Sequence, residues 1–402
     1  MDRADGLRGF RDRFVLPEGM IYLDGNSLGA LPKATPARMR EVVEQEWGQG
    51  LIRSWNACGW IDAQLRVGDK IGRLIGAQPG ETLVADSTSI NLFKMLAAAL
   101  QMRPGRQKIV SEETNFPTDL YVAEGLSLLL GRGHILVARD TDAVEAAIDG
   151  DTAVVMLTHV NYRNGRMWDM KRLTERAHAS GALMLWDLAH SAGAVPLAMA
   201  ALDVDLAVGC GYKYLNGGPG APAFLYMAER LQSTAVLPLS GWFGHADPFA
   251  FEQGYRPAGG ILRAAVGTPP ILSLAALEVG VDLMLEVPME DVRRKSLALT
   301  GLFAQLIEQE CATFGFELMS SRVEDARGSQ ICVRHDGAWP IMQALIESGI
   351  IGDFRAPDIL RFGFAPLYVG YADVWDSVAS LRRIMDSQMW REPKYLAKAA
   401  VT

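Results

Sequence analysis

Short apolar runs recur along the first two-thirds of the chain, at residues 82–85, 108–111, 134–138, 153–157, 182–187, 205–208 and 223–226. Between them lie helix-like stretches, near 88–100, 117–131, 141–148 and 170–179. Runs of this length, mainly apolar, read as strands buried on both faces. Their alternation with helices predicts an α/β fold, a mostly parallel sheet covered by helices on both sides. In such sheets, ligands and chemistry collect at the carboxyl ends of the strands. Ser87, Thr88, Ser89, Asp119, Thr158, Asp187 and Lys213 all fall at or just beyond those ends.

With 402 residues the chain is too long for one ordinary core. The texture changes after residue 270. A long helix is expected from Ile271 and another over 292–310. A smaller set of strands (329–333, 359–364) and helices (338–348, 374–390) follows. We therefore expect an N-terminal segment over 1–45, a large domain over 46–270 and a smaller α/β domain over 271–402, with a loosely held tail from Arg391. The N-terminal segment contains the loop Asp24-Gly25-Asn26-Ser27-Leu28-Gly29, whose shape a plain turn explains.

Composition narrows the function classes. The formal net charge is −8, with both signs interspersed and no basic block, so no nucleic-acid or anionic-membrane partner is expected. No apolar run approaches the length of a bilayer span. The cysteines, Cys58, Cys210, Cys311 and Cys332, form no CxxC pair and have no histidine at ligand spacing. We expect reduced thiols, no metal site and a cytoplasmic protein.

The chemistry gathers around Lys213. An apolar strand leads to it and a glycine-rich loop, Gly217-Gly218-Pro219-Gly220, follows. Partial desolvation would make its amine nucleophilic near neutral pH, although a strand-end lysine can also simply reach water. Asp187 ends another buried run, where a lone carboxylate needs a cationic partner or a metal. The two lie 213 − 187 = 26 residues apart, room for one helical connection and one further strand, so they can face one crevice. An imine-forming lysine and a carboxylate that keeps a ring nitrogen protonated are the groups pyridoxal 5'-phosphate requires. The hydroxyls of residues 87–89, before a helix, suit its phosphate, and equally suit a plain N-cap. Phe116 could stack on the ring. Trp47, Trp55 and Trp60 can shape an aromatic pocket, for which Trp47, Gln49 and Trp55 are candidates, or pack at an interface.

These residues carry a resemblance. The strings Asp187-Leu188-Ala189-His190-Ser191-Ala192-Gly193 and Tyr212-Lys213-Tyr214-Leu215-Asn216-Gly217-Gly218-Pro219-Gly220 resemble the aspartate and lysine motifs of fold-type I pyridoxal-phosphate enzymes. Together with Gly25-Asn26-Ser27-Leu28-Gly29 and Asn115-Phe116-Pro117-Thr118-Asp119, they are similar to kynureninases, from residue 22 to Arg361. The resemblance implies hydrolysis of the Cβ–Cγ bond of L-kynurenine to anthranilate and L-alanine, within a homodimer. It implies that Lys213 forms the imine with the cofactor and that Asp187 pairs with the ring nitrogen. Phe116 would stack on the ring, and Thr88 and Ser89 would hold the phosphate with help from Tyr212 and Trp242. Asp119, Thr158 and His190 would line the ring edge. Thr268 would reach the phosphate across the dimer interface, and Arg361 would hold the substrate α-carboxylate. Tyr212 is a further candidate for proton transfer.

Two enzymes of the same superfamily compete with this reading. A cysteine desulfurase usually has histidine before the lysine and a mobile cysteine. Here Tyr212 precedes Lys213, and Cys332 sits in a buried-strand pattern. A class V aminotransferase shares the aspartate and lysine, and would need a keto-acid partner. A cofactor-dependent regulatory module would need a DNA-binding helical domain or a basic face, neither of which the sequence carries.

Overall fold

The computed structural model describes residues 1–397 of the chain. A seven-stranded sheet forms its centre, in the spatial order Thr82–Val84, Phe224–Met227, Leu206–Gly209, Leu183–Asp187, Thr152–Thr158, Lys108–Glu112, Ile135–Arg139. Phe224–Met227 runs antiparallel to both of its neighbours, and the other pairings are parallel. Alternate side chains enter two different cores. Val155, Leu157, Met184 and Trp186 pack into one, while Val154, Met156, Leu183 and Leu185 pack into the other. Neither face meets water, so these strands carry no polar alternation.

The helices stop where the sequence gives them a reason. Ala63–Ile75 ends on Gly76 with φ 69°, a left-handed terminus that favours glycine. Pro117–Leu130 starts with proline, whose missing N–H costs nothing in a first turn, and ends on Gly131 with φ 59°. Near the start of the chain, the α-helix Thr35–Glu41 runs on into a π-helical stretch, Val42–Gly50.

The last third builds a four-stranded antiparallel sheet in the order Glu317–Leu318, Gln330–Arg334, Ile359–Gly363, Asp353–Arg355, with Met289–Glu310, Ala338–Glu347 and Tyr371–Asp386 packed around it. The chain's start is stitched onto this unit. Ile21–Tyr22 pairs in parallel with Ile350–Ile351, and Gly363 N–H donates to the Leu23 carbonyl at 2.7 Å. Asp2 caps Tyr371–Asp386, accepting from the N–H groups of Tyr371 and Ala372 at 2.8 and 2.9 Å. The tail is less loose than expected. Pro393–Leu396 is helical, Tyr395 is buried, and the Ala397 carbonyl accepts from Trp339 Nε1 at 3.2 Å. An aromatic side chain with a core position to fill explains the anchoring. Residues 398–402 lie outside the described residues.

Candidate active site

Thr158 and Asp187 are the last residues of adjacent parallel strands and face each other in register, and Asp187 is in turn opposite Val208 of the next strand. Strand order thus brings Asp187 beside the segment that leads to Lys213. The connection between those strands differs from expectation: residues 188–205 contain turns and no regular helix. Gly193 with φ 80°, Pro196 and Asp203 with φ 52° explain this, because each interrupts a helical path.

The loop after Lys213 needs its glycines for two different reasons. Gly218 and Gly220 have φ of 83° and 77°, the left-handed region where a side chain is strained. Gly217 has an ordinary φ but no space: a Cβ there would come within 2.7 Å of Leu277 Cδ1. The loop at residues 24–29 is more than a plain turn. Gly29 N–H donates to the Tyr212 carbonyl at 2.8 Å, and a Cβ on Gly29 would lie 2.3 Å from the Lys213 carbonyl oxygen. It buttresses the backbone that carries the lysine.

A cavity opens at these strand ends. Lys213, Asp187, Asp119, Thr158 and His190 share it with Thr88, Ser89, Phe116 and Tyr212. Thr118 and Tyr162 also line it. Sequence reasoning named neither, although Thr118 sits inside a motif already singled out.

The electrostatics are those of groups held away from water. Burial lowers the Lys213 ammonium below its ordinary range, against the pull of Cys210 and Asp187. Burial raises Asp187, while Lys213 and the Ala189 N–H, 2.7 Å from its Oδ1, act in the opposite direction. Asp119 is pushed well above the carboxylate range by burial and by the charge of Asp187. Burial, then the cations Lys213, Arg361 and Arg355, hold His190 neutral. Thr158 Oγ1 lies 3.2 Å from Asp119 Oδ2 and hydrogen-bonds Asn115 Oδ1, which also accepts from Phe116 N–H at 2.8 Å. One polar chain therefore sets the positions of Phe116, Thr158 and Asp119.

Thr88 opens the helix Thr88–Met102, and Ser87 is its N-cap, accepting from Ile90 N–H at 3.4 Å. Ser87 is thereby engaged, and Thr88 and Ser89 are the hydroxyls left facing the cavity. Below them, fully buried Lys94 donates to Asp86 Oδ2 at 2.6 Å and to the Ala264 carbonyl at 2.8 Å. No periodicity signals that brace, because a buried lysine in an apolar helix reads as an exception.

Trp242, Thr268 and Arg361 do not line this cavity. Trp242 is partly exposed in an aromatic cluster with Phe243, Phe249 and Phe251, and Thr268 is exposed. Trp47 and Trp60 line a separate apolar groove with Pro269, Pro270 and Leu272, Gln49 is exposed, and Trp55 packs on Trp60 and Phe243. Arg361 is buried behind the cavity, where its Nη1 donates to the carbonyl of Tyr162 at 2.8 Å.

These residues fit pyridoxal phosphate. The cavity offers a desolvated amine and a buried carboxylate at neighbouring strand ends, and two hydroxyls at a helix N-terminus suit a phosphate. The buried Nδ1 of His190 has no hydrogen-bond partner among the described residues, which is what a site completed by a polar ligand leaves. Cys332, the cysteine a desulfurase reading would consider, is wholly buried in its strand with its thiol pushed up to about 12.

Comparison with known proteins agrees with the geometry. A family model described as the kynureninase C-terminal domain matches residues 292–381, and one described as the DegT/DnrJ/EryC1/StrS aminotransferase family matches residues 88–197. The kynureninase of Pseudomonas fluorescens is 51% identical over 100% of this chain and 98% of its own length, and that of Burkholderia pseudomallei strain 1106a gives the same figures. Among solved structures, the apo cysteine desulfurase of Thermococcus onnurineus NA1 superposes with a TM-score of 0.79 at 20% identity, covering 94% of this chain and 98% of that one. The cysteine desulfurase CsdA of Escherichia coli gives 0.78 at 19% identity, covering 95% and 99%. Those distant likenesses establish the fold, which is that of fold-type I enzymes. The full-length identity goes further: the chain belongs to the kynureninase family.

Proposed function

We infer that this chain hydrolyses the Cβ–Cγ bond of L-kynurenine, giving anthranilate and L-alanine, in tryptophan degradation, with pyridoxal 5'-phosphate as cofactor. The observation that carries the reading is Lys213 and Asp187 meeting in one cavity, in a chain 51% identical to kynureninases from end to end. When bound, the cofactor supplies an aldehyde that exchanges amines and a protonated ring that accepts the electron pair of a substrate carbanion.

The chain's own residues do the rest. The Lys213 amine, made available by desolvation, would hold the cofactor, and when free it is the base placed to take the substrate α-proton. Asp187 keeps the ring nitrogen protonated. Of the residues that line the cavity, Phe116 would cover the ring face, Thr88 and Ser89 would bind the phosphate, and neutral His190, Asp119 and Thr158 would bound the ring edge. Arg361 holds the α-carboxylate through its planar fork. Water adds to the ketone carbonyl beside the aromatic ring, and cleavage leaves a three-carbon fragment that is protonated to alanine.

The test is direct. Purified holoenzyme given kynurenine should release fluorescent anthranilate and alanine in equal amounts without a keto acid. Transamination without anthranilate, or sulfide release from cysteine, would reject the reading. The same assay with the 3-hydroxy substrate measures the preference as a ratio of kcat/KM.

Tyr212 is the proposed proton carrier. Burial raises its phenol, so it is neutral at working pH, and its ring centroid lies 5.8 Å from Lys213 Nζ. Tyr212→Phe should lower kcat by about 100-fold when measured at saturating cofactor. Normal turnover in that variant would remove the role.

The active unit is a homodimer in this reading. Exposed Trp242, Phe249, Phe251 and Leu272 support an interface, and Thr268 and Trp242, away from their own cavity, would complete the partner's phosphate site. Sedimentation should give twice the chain mass, and Thr268→Ala should weaken cofactor binding. A monomer that binds the cofactor normally would contradict it. We also take residues 46–270 as the cofactor-binding domain, 271–402 as the smaller one with residues 1–45 as the segment preceding both, and the cytoplasm as the location. Among the described residues no helix is long and apolar enough to cross a membrane, and all four cysteines are free.

A further inference from the structure

Arg361 does not stand free behind the cavity. Its side chain is 1% exposed, and Asp353, 4% exposed, sits opposite it in register on the adjacent antiparallel strand. Arg361 Nε donates to Asp353 Oδ1 at 2.8 Å, and Arg361 Nη2 donates to Asp353 Oδ2. The carboxylate thus occupies the Nε–Nη2 edge of the guanidinium. What remains is the Nη1–Nη2 edge. There Nη2 donates to Ser27 Oγ at 2.8 Å and Nη1 to the carbonyl of Tyr162, a residue of the cavity wall.

Asp353 also has a second cation. Arg355 Nη2 donates to Asp353 Oδ2 at 2.6 Å, and Ser27 Oγ donates to the same oxygen at 2.7 Å. One carboxylate therefore serves two guanidinium groups. The other acid of the cluster, Asp24, is pushed up to about 7 by burial and then by the charge of Asp353, so it cancels only part of the remaining positive charge. Two guanidinium groups thus share one fully engaged carboxylate, an arrangement with room in its charge balance for an incoming anion.

We propose that Asp353 is a positioning residue for substrate binding: by taking the Nε–Nη2 edge of Arg361 it fixes the guanidinium plane and leaves the Nη1–Nη2 edge, held here only by the neutral Ser27 hydroxyl and Tyr162 carbonyl, for the substrate α-carboxylate, which would displace them. This rests on the reading of Arg361 as the carboxylate anchor. A buried guanidinium without its acid would be uncompensated and free to turn about its last torsions. A planar fork is selective only while its plane is held. Asp353 touches neither substrate nor cofactor in this scheme and acts through Arg361.

The test separates carboxylate recognition from general loosening of the site. KM and kcat for kynurenine are measured in Asp353→Asn, Asp353→Glu and Arg361→Lys holoenzymes. The inhibition constant of the decarboxylated ketone amine, which keeps the aromatic ring and lacks the carboxylate, is measured alongside. Asp353→Asn should raise KM about tenfold or more while kcat stays within about threefold. The decarboxylated inhibitor should bind as it does to the wild type. Asp353→Glu keeps the charge that stabilises the fold and moves the carboxylate by one methylene, so it should show the same selective loss if the asparagine variant does not fold. Equal loss for both ligands would make Asp353 merely structural and overturn the proposal. An unchanged KM in the Asp353 variants with a raised KM in Arg361→Lys would also overturn it, leaving Arg361 as the anchor. An unchanged KM in Arg361→Lys would overturn both.

Discussion

Lys213→Ala is expected to abolish turnover, with kcat lowered by about 10⁴-fold or more, or roughly 5.5 kcal/mol of barrier. The size follows from two losses at one position. The amine that holds the cofactor is gone, and so is the base that removes the α-proton. The variant should also lose the absorbance of the protein-linked cofactor, while binding free cofactor more weakly through Thr88, Ser89 and Asp187. Its fold should survive, because the loop is held by backbone contacts: Gly29 N–H on the Tyr212 carbonyl and Asn216 N–H on the Lys213 carbonyl, at 2.8 and 2.9 Å. Alanine keeps both. The outcome that sinks this assignment is Lys213→Ala enzyme that still releases anthranilate at more than a few per cent of the wild-type rate. A small primary amine in the buffer should restore part of the α-proton exchange, since the cavity vacated by the side chain opens beside Tyr212 and Asp187.

The sheet was readable because its inner strands are buried on both faces and so appear as mainly apolar runs, while only the edge strand Ile135–Arg139 is half-exposed. The cluster of Lys213, Asp187, Thr158 and Asp119 was readable for a related reason, since parallel order places strand ends together whatever the loops between them do. The irregular course of residues 188–205 shows the limit. A separation of 26 residues admits a helix, but Gly193, Pro196 and the left-handed Asp203 break one, and their combined effect depends on the packing around them. The π-helical stretch Val42–Gly50 keeps a helical pattern of side chains, and its change in hydrogen-bond spacing leaves no mark in composition.

Long-range partners were the least legible. Ser27 and Asp353 are 326 residues apart and meet through one hydroxyl. No local pattern ties them, and the loop at residues 24–29 looked like any polar turn. Asp353–Arg355 was missed as a strand because its three residues hold two charged groups, and pairing with Ile359–Gly363 overrides that composition. Charged residues inside a short strand next to a buried arginine are the signal that could have found it.

Asp187→Asn should separate catalysis from stability. In the cofactor-free protein Asp187 is buried beside Asp119, with Lys213 as partial compensation, and its carboxyl is raised above the ordinary range. A carboxyl raised by folding is destabilising while it is ionised, so at neutral pH it costs the apo-protein stability. Asparagine keeps an acceptor for the Ala189 N–H and removes the charge. Apo Asp187→Asn should therefore melt above the wild type at pH 7. The advantage should shrink as pH falls through the folded value of Asp187 toward its unfolded value of about 4, because the wild-type carboxyl is then protonated as well. The holoenzyme should respond in the opposite sense. Asparagine cannot hold the ring nitrogen protonated, so kcat should fall by about 10²–10³-fold or more, and exchange of the α-proton with deuterated solvent should slow in parallel. If Asp187→Asn exchanges that proton at the wild-type rate, Asp187 is not the partner of the ring. If its apo-protein melts below the wild type at pH 7, the carboxylate is better compensated by Lys213 than its burial implies. A side chain that lowers the stability of the empty protein and is needed only when the cofactor arrives is what a preorganised electrostatic site requires.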